Sequence, residues 1–169
     1  MKNNGFTFIE IIVVLGIIGI IIAASFPSIL NVMETRALDG SSRDVLTTLE
    51  AARYMAVNEK VNCRVRFFVE NEEWRYLVEV EETPGTWTSV HKFIKKSLPR
   101  KFNPQVQLPA SSQSIVFSPL GMIANYDFTS PQNHRITLQS LKLKKLGQED
   151  LRLITIYAGG SIGYRKAKS

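Results

Sequence analysis

Gly5-Phe6-Thr7-Phe8-Ile9-Glu10, followed over residues 11–30 by IIVVLGIIGIIIAASFPSIL, is the stretch on which the fold turns. Crossing about 30 Å of hydrocarbon takes about 20 predominantly apolar residues. Residues 11–30 supply that length, interrupted only by Gly16, Gly19, Ser25, Pro27 and Ser28. A cleavable secretory signal also joins a basic start to an apolar run, but it closes on a small-residue cleavage site. Lys2 provides the start, whereas Ser25-Phe26-Pro27-Ser28-Ile29 is a poor cleavage site, so the run reads as a membrane anchor. Lys2 and the shortness of the leading segment place the N-terminus on the cytoplasmic side and the bulk of the chain outside.

Glu10 is the anomaly in this run. An ionised side chain at a bilayer centre costs about 2.5 to 3.5 kcal/mol on insertion scales, so its partner has to be named. Hydration at the membrane edge is one answer, and Lys2, two helical turns and a residue back, is another. A third arises if the chain is cut between Gly5 and Phe6. Phe6 then carries a free α-amine, and residues four apart share a helical face.

These residues resemble the processing site of the type IV pilin and pseudopilin family: a short basic leader, Gly-Phe-Thr-Phe-Ile-Glu, and a long apolar run. The resemblance implies a leader, residues 1–5, removed after Gly5 by prepilin peptidase, and N-methylation of the new Phe6 amine. It also implies a transmembrane and assembly helix over 6–30, in which Glu10 engages the N-terminal amine of a neighbouring subunit and Pro27 kinks the helix. The partners implied are other pilin or pseudopilin subunits, the peptidase, an inner-membrane assembly platform and the lipid itself.

Beyond Pro27 the chain turns amphipathic, with Leu30, Met33, Ala37, Leu38, Val45, Leu49, Ala52 and Ala56 near helical spacing. One helix is expected from about Phe6 to Asn58, its 31–58 half lying on the globular domain and Gly40-Ser41-Ser42 as its weak point. From Val61 the period becomes two. Val61, Cys63, Val65, Phe67 and Val69, then Trp74, Tyr76, Val78 and Val80, predict a hairpin around Asn71-Glu72-Glu73. Further strands are expected near 87–93, 114–118, 123–128, 135–141, 151–157 and 162–165, with Lys142 to Asp150 as an exposed turn and a proline-rich loop region at 99–114. The fold class is therefore α+β: a long N-terminal helix, half membrane and half amphipathic, packed on an antiparallel β-sheet domain over 59–169.

Later segments extend the resemblance. Ala52-Arg53, Phe117-Ser118-Pro119-Leu120-Gly121 and Ile154-Thr155-Ile156 leading to Gly159-Gly160 are similar to the minor-subunit group of the GspH/FimT type. Major pilins commonly close a C-terminal loop with a disulfide, and a single cysteine, Cys63, departs from that pattern. Cys63 sits on the apolar face of the first strand and reads as a core thiol.

The formal charge of +6 hides an asymmetry: residues 1–90 hold 8 Lys and Arg against 12 Asp and Glu, while residues 91–169 hold 13 against 3. A solvated basic face is the plain explanation, and an acidic partner is the sharper one. Arg165, Lys166 and Lys168, read as a tail beyond a strand end, are the candidate nucleic-acid contacts. His91, His134 and Cys63 are too few for a His or Cys metal cluster, and past Phe128 only Glu149 and Asp150 are acidic, which disfavours calcium. Nucleotide-binding, zincin and nucleophile-elbow motifs are absent, so neither an enzyme nor a cofactor is expected. The expectation is a minor pseudopilin or pilin of a type II secretion pseudopilus or type IV pilus. The alternatives are a DNA-binding minor pilin of an uptake machine and an anchored periplasmic domain that never polymerises.

Overall fold

The computed structural model describes residues 7–91, 93–109, 113–148 and 150–167, with the side chains at 24 and 27 outside that description. Helix α1, Phe8–Glu59, is continuous over 52 residues, about 78 Å at 1.5 Å per residue. Thr7 caps it with an extended backbone, and Lys60 ends it in the left-handed region at φ 56°. Gly40 does not break the helix, because packing on either side holds it. Leu38, Ser42, Val45, Leu49, Ala52 and Ala56 form one buried stripe, and Ser42 Oγ donates to Leu38 O at 2.8 Å across the weak point. The stripe begins later than its apolar spacing predicts: Leu30 and Met33 are exposed, as is Ala37.

Strands β1, Cys63–Glu70, and β2, Glu73–Thr83, form the expected hairpin. Asn71 and Glu72 both adopt positive φ, 51° and 60°, the backbone twist that two-residue hairpin loops favour. Their register sets Phe67 opposite Tyr76, and the two buried rings stack with centroids 5.4 Å apart.

The remaining strands are β3, Thr86–Ser89; β4, Lys96–Leu98; β5, Gln105–Gln107; β6, Ser114–Phe117; β7, Arg135–Gln139; β8, Leu151–Ile156; and β9, Ile162–Ala167. They make two sheets rather than one. The first runs β3-β2-β1-β6, with β4 also on β2, and the second runs β5-β7-β8-β9; every pairing is antiparallel. The upper half of α1 covers both sheets. Cys63, Val65, Phe67, Ile115 and Phe117 reach the shared core from the first, and Ile136, Leu138, Ile154 and Ile156 from the second.

Two segments depart from expectation for identifiable reasons. Residues 123–128 do not form a strand; a single bridge joins Phe117 to Ile123. Asn125 then takes the place of a strand with its side chain, accepting from Val116 N at 2.9 Å and donating to Ser114 O at 2.8 Å. Within the expected exposed turn, Leu141–Lys145 forms a short helix, α2, capped by Ser140, and Leu143 is buried. Strand β5 lies in the proline-rich region and β4 just before it; both are three residues long, too short to carry an alternating pattern.

Candidate assembly site along the helix

Thr7 and Glu10 form a capping box. Thr7 N and Oγ1 each donate to Glu10 Oε2 at 3.0 Å, and Glu10 N donates to Thr7 Oγ1 at 3.4 Å. The Thr-x-x-Glu spacing was the signal for this arrangement, and reading Glu10 only as a charge in lipid overlooks it. Its carboxylate is exposed and is the only ionisable side chain between Thr7 and Met33. Glu10 stands 24 residues before Glu34, about 36 Å along the axis. An 18-residue window in this part of α1 has mean hydropathy 2.8 and no burial within the molecule, long and apolar enough to cross a membrane. Gly5 and Phe6 lie outside the described residues. Position 27 falls within the unbroken helix, and the side chain of Pro27 is outside the description.

Where the bare segment meets the domain, the helix is clamped by charge. Glu34 accepts from Ser140 Oγ at 3.0 Å and lies 3.5 Å from Lys101 Nζ. One turn on, Asp39 accepts from Arg43 and Arg152, each at 3.0 Å, from Tyr164 Oη, and from Lys166 at 3.2 Å. Partial burial pushes the Asp39 carboxyl up, but the four donors outweigh it and hold the group well below the usual carboxylate range. Burial and the Asp39 carboxylate together push the Tyr164 hydroxyl up to about 12. Arg152 is 1% exposed and is satisfied from two sides, by Asp39 and by a two-pronged pair with Asp150.

At the far end the three later motifs converge. Arg53 Nε donates to Gly121 O at 3.0 Å. Gly121, closing the Ser118 turn, has φ +74°, and Gly160 has φ +79°. A Cβ on Gly160 would fall 1.8 Å from Gly121 O, so the terminal hairpin reaches the turn only as glycine.

Acids of the first half meet bases of the second throughout: Glu34 with Lys101, Asp39 with Arg152 and Lys166, Asp44 with Lys96, Glu70 with Lys95, and Glu72 with Arg100. Much of the sequence asymmetry is thus matched inside the molecule. Arg165 and Lys166 do not form a tail; they belong to β9, and Lys166 is engaged by Asp39. Lys168 lies outside the described residues. Cys63 is buried, and burial pushes its thiol up to about 11.

Residues 1–26 match the sequence family described as the prokaryotic N-terminal methylation motif. The fold is similar to the crystal structure of the type IV minor pilin FimU of Pseudomonas aeruginosa, with TM-score 0.51 and 14% identity over 78% of this chain and 90% of that one. This is the type IV pilin fold. A second crystal form of FimU aligns at TM-score 0.48 and 13% identity, over 75% of this chain and 91% of that one. No curated protein matches the chain. The pilin fold and the methylation motif together support a type IV pilin-like family.

Proposed function

We propose that the chain is a minor pilin or pseudopilin of the GspH/FimT kind, a structural subunit of a type II secretion pseudopilus or a type IV pilus. In this reading residues 1–5 are a leader, 6–30 span the inner membrane with the N-terminus cytoplasmic, and 31–58 and 59–169 form the periplasmic domain. Prepilin peptidase cuts after Gly5, Phe6 is N-methylated, and the assembly platform moves the subunit into the filament. The observation that carries the reading is the combination of a methylation motif over residues 1–26 with a bare apolar helix whose one charge, Glu10, lies just inside it. In lipid that carboxylate is stabilised when the Phe6 amine of an adjoining subunit approaches it.

Intact-mass measurement on membrane-extracted protein tests the processing: loss of Met1 to Gly5 with gain of one methyl group is expected. An intact leader returns the chain to a plain anchored domain. Two variants separate charge from helix capping. Glu10→Gln keeps a capping-box acceptor and removes the charge, and it should lower filament incorporation by about tenfold or more, the equivalent of 1.4 kcal/mol. Thr7→Ala does the reverse and should change incorporation by about fivefold at most, since a lost cap costs about 1 kcal/mol at most helix ends. Equal incorporation of Glu10→Gln and wild type, measured by crosslinking, removes the proposed role of Glu10.

A second reading, DNA contact during uptake, is favoured by one observation. An open groove on the second sheet is lined by Tyr126, Tyr157 and Tyr164 with Arg135 and Arg165, and the buried Arg135 Nε has no hydrogen-bond partner. Aromatic faces with guanidinium groups suit single-stranded nucleic acid. Detergent-solubilised full-length protein should then bind a labelled oligonucleotide in a steeply salt-dependent way that Arg135→Glu with Arg165→Glu abolishes. Binding that ignores salt and both arginines sinks this reading.

A further inference from the structure

The apolar run ends at Leu30, and Glu34 follows four residues later, about 6 Å along the helix axis. Head-group layers are about 5 to 8 Å deep on each side of the hydrocarbon, so Glu34 stands at head-group level when the run spans a membrane. Helix α2 is tied to that level through its cap, Ser140, which donates to Glu34. Lys101 is held there by the same carboxylate.

Leu143 turns inward and anchors α2 to the core, whereas Lys142, Lys144 and Lys145 are exposed, and Leu141 and Leu146 stand 42% and 55% exposed. Five helical residues span about 7.5 Å, so the backbones of all three lysines lie within about 8 Å of Ser140 at the helix exit. Among the described residues the nearby acids are occupied: Glu34 by Ser140 and Lys101, Asp39 and Asp150 by Arg152. The result is a small cationic surface with two apolar side chains, placed where the chain leaves the bilayer.

We infer that α2 and Lys101 form a lipid-facing foot that docks on the anionic head groups of the membrane that α1 spans. This rests on the reading of residues 6–30 as a membrane span. The match is chemical and positional: lysines for head-group phosphates, leucines for the upper acyl region, both at the height of Glu34. Each basic residue at an anionic surface favours the docked state by about fivefold, within a Debye length of about 8 Å at physiological salt. The foot would hold the domain against the bilayer in the stored state and release it when the helix is lifted into a filament.

The test uses the full chain reconstituted in vesicles of phosphatidylcholine alone or with about 30% phosphatidylglycerol, a level that gives a clearly negative surface. A fluorophore is placed at position 146 through Leu146→Cys; the buried Cys63 thiol, pushed up to about 11 by burial, stays unlabelled. Quenching by lipids brominated near the head group should be at least about twofold stronger in the anionic vesicles and fall away at high salt, as screening requires. Lys142→Glu with Lys144→Glu and Lys145→Glu should abolish the difference, whereas Lys60→Glu, at the other end of α1, should leave it unchanged. A probe equally water-exposed in both vesicles, or a triple variant that quenches like wild type, overturns the foot. Extraction of the chain from neutral vesicles by carbonate would instead overturn the membrane-span reading, and the foot with it.

Discussion

The two halves of α1 are one helix in backbone and two different objects in their surroundings. From Phe8 to Met33 the described side chains are solvent-facing or nearly so, and a single carboxylate interrupts the apolar surface. From Leu38 to Ala56 the same helix buries eight residues over two sheets and is fixed at both ends by polar contacts. Ordinary tertiary packing explains the upper half completely. The lower half has an apolar surface with nothing in the molecule to cover it, and only lipid or other helices satisfy such a surface.

Four measurements sharpen or break this contrast. Gly160→Ala should have the largest effect, because its Cβ would meet a backbone oxygen at 1.8 Å at a residue already at φ +79°. We expect a loss of about 4 kcal/mol or more in domain stability, read by denaturant unfolding in detergent, and a near-wild-type value would show that the turn and the hairpin are free to separate. Asp39→Ala leaves Arg152 buried but still paired with Asp150, so the loss should lie near the lower end of the about 3 to 5 kcal/mol that a broken buried pair costs. Because Asp39 has its carboxyl lowered on folding from the ordinary value of 3.8, the stability it confers is complete above that value and drains away as pH falls through it towards the lower folded value. The variant should lose that part of the acid dependence in a pH series of unfolding curves.

Leu49→Ala, at a side chain with no exposure, should cost about 3 kcal/mol, whereas Ile17→Ala in the bare half should leave domain stability unchanged. A comparable loss from both would mean that the lower half packs on the domain after all. Gly40→Ala should give the smallest effect and the opposite sign. A Cβ there meets nothing within 4 Å, so the domain should gain up to about 1 kcal/mol. A destabilised Gly40→Ala protein would show that the helix bends at Gly40 in its working form.

Legibility in the sequence followed the length of each pattern. The apolar run and the β1–β2 hairpin have enough repeats for their periods to stand out, and the motif around Gly5 to Glu10 is local. Strands β4 and β5 have three residues each, and Asn125 imitates a strand with one side chain, so neither leaves a periodic trace. Two features were present and overlooked. Thr7 and Glu10 hold capping-box spacing, and Arg152 falls in phase with the buried Ile154 and Ile156 on β8, where an arginine requires a buried acid. Which acid that would be, Asp39, 113 positions away, depends on tertiary placement that no local pattern encodes. The supposed basic tail failed for the same reason, since the partner that holds Lys166 is on the first helix.

Asp39 also dictates an order of events. Apart from Arg43, its described partners are Arg152, Tyr164 and Lys166, all on β8 and β9. A chain made from its amino end therefore keeps this part of α1 unfastened until β8 and β9 have emerged. Termination ahead of β8 would then leave Asp39 without these three partners, even though every strand of the first sheet had already been made.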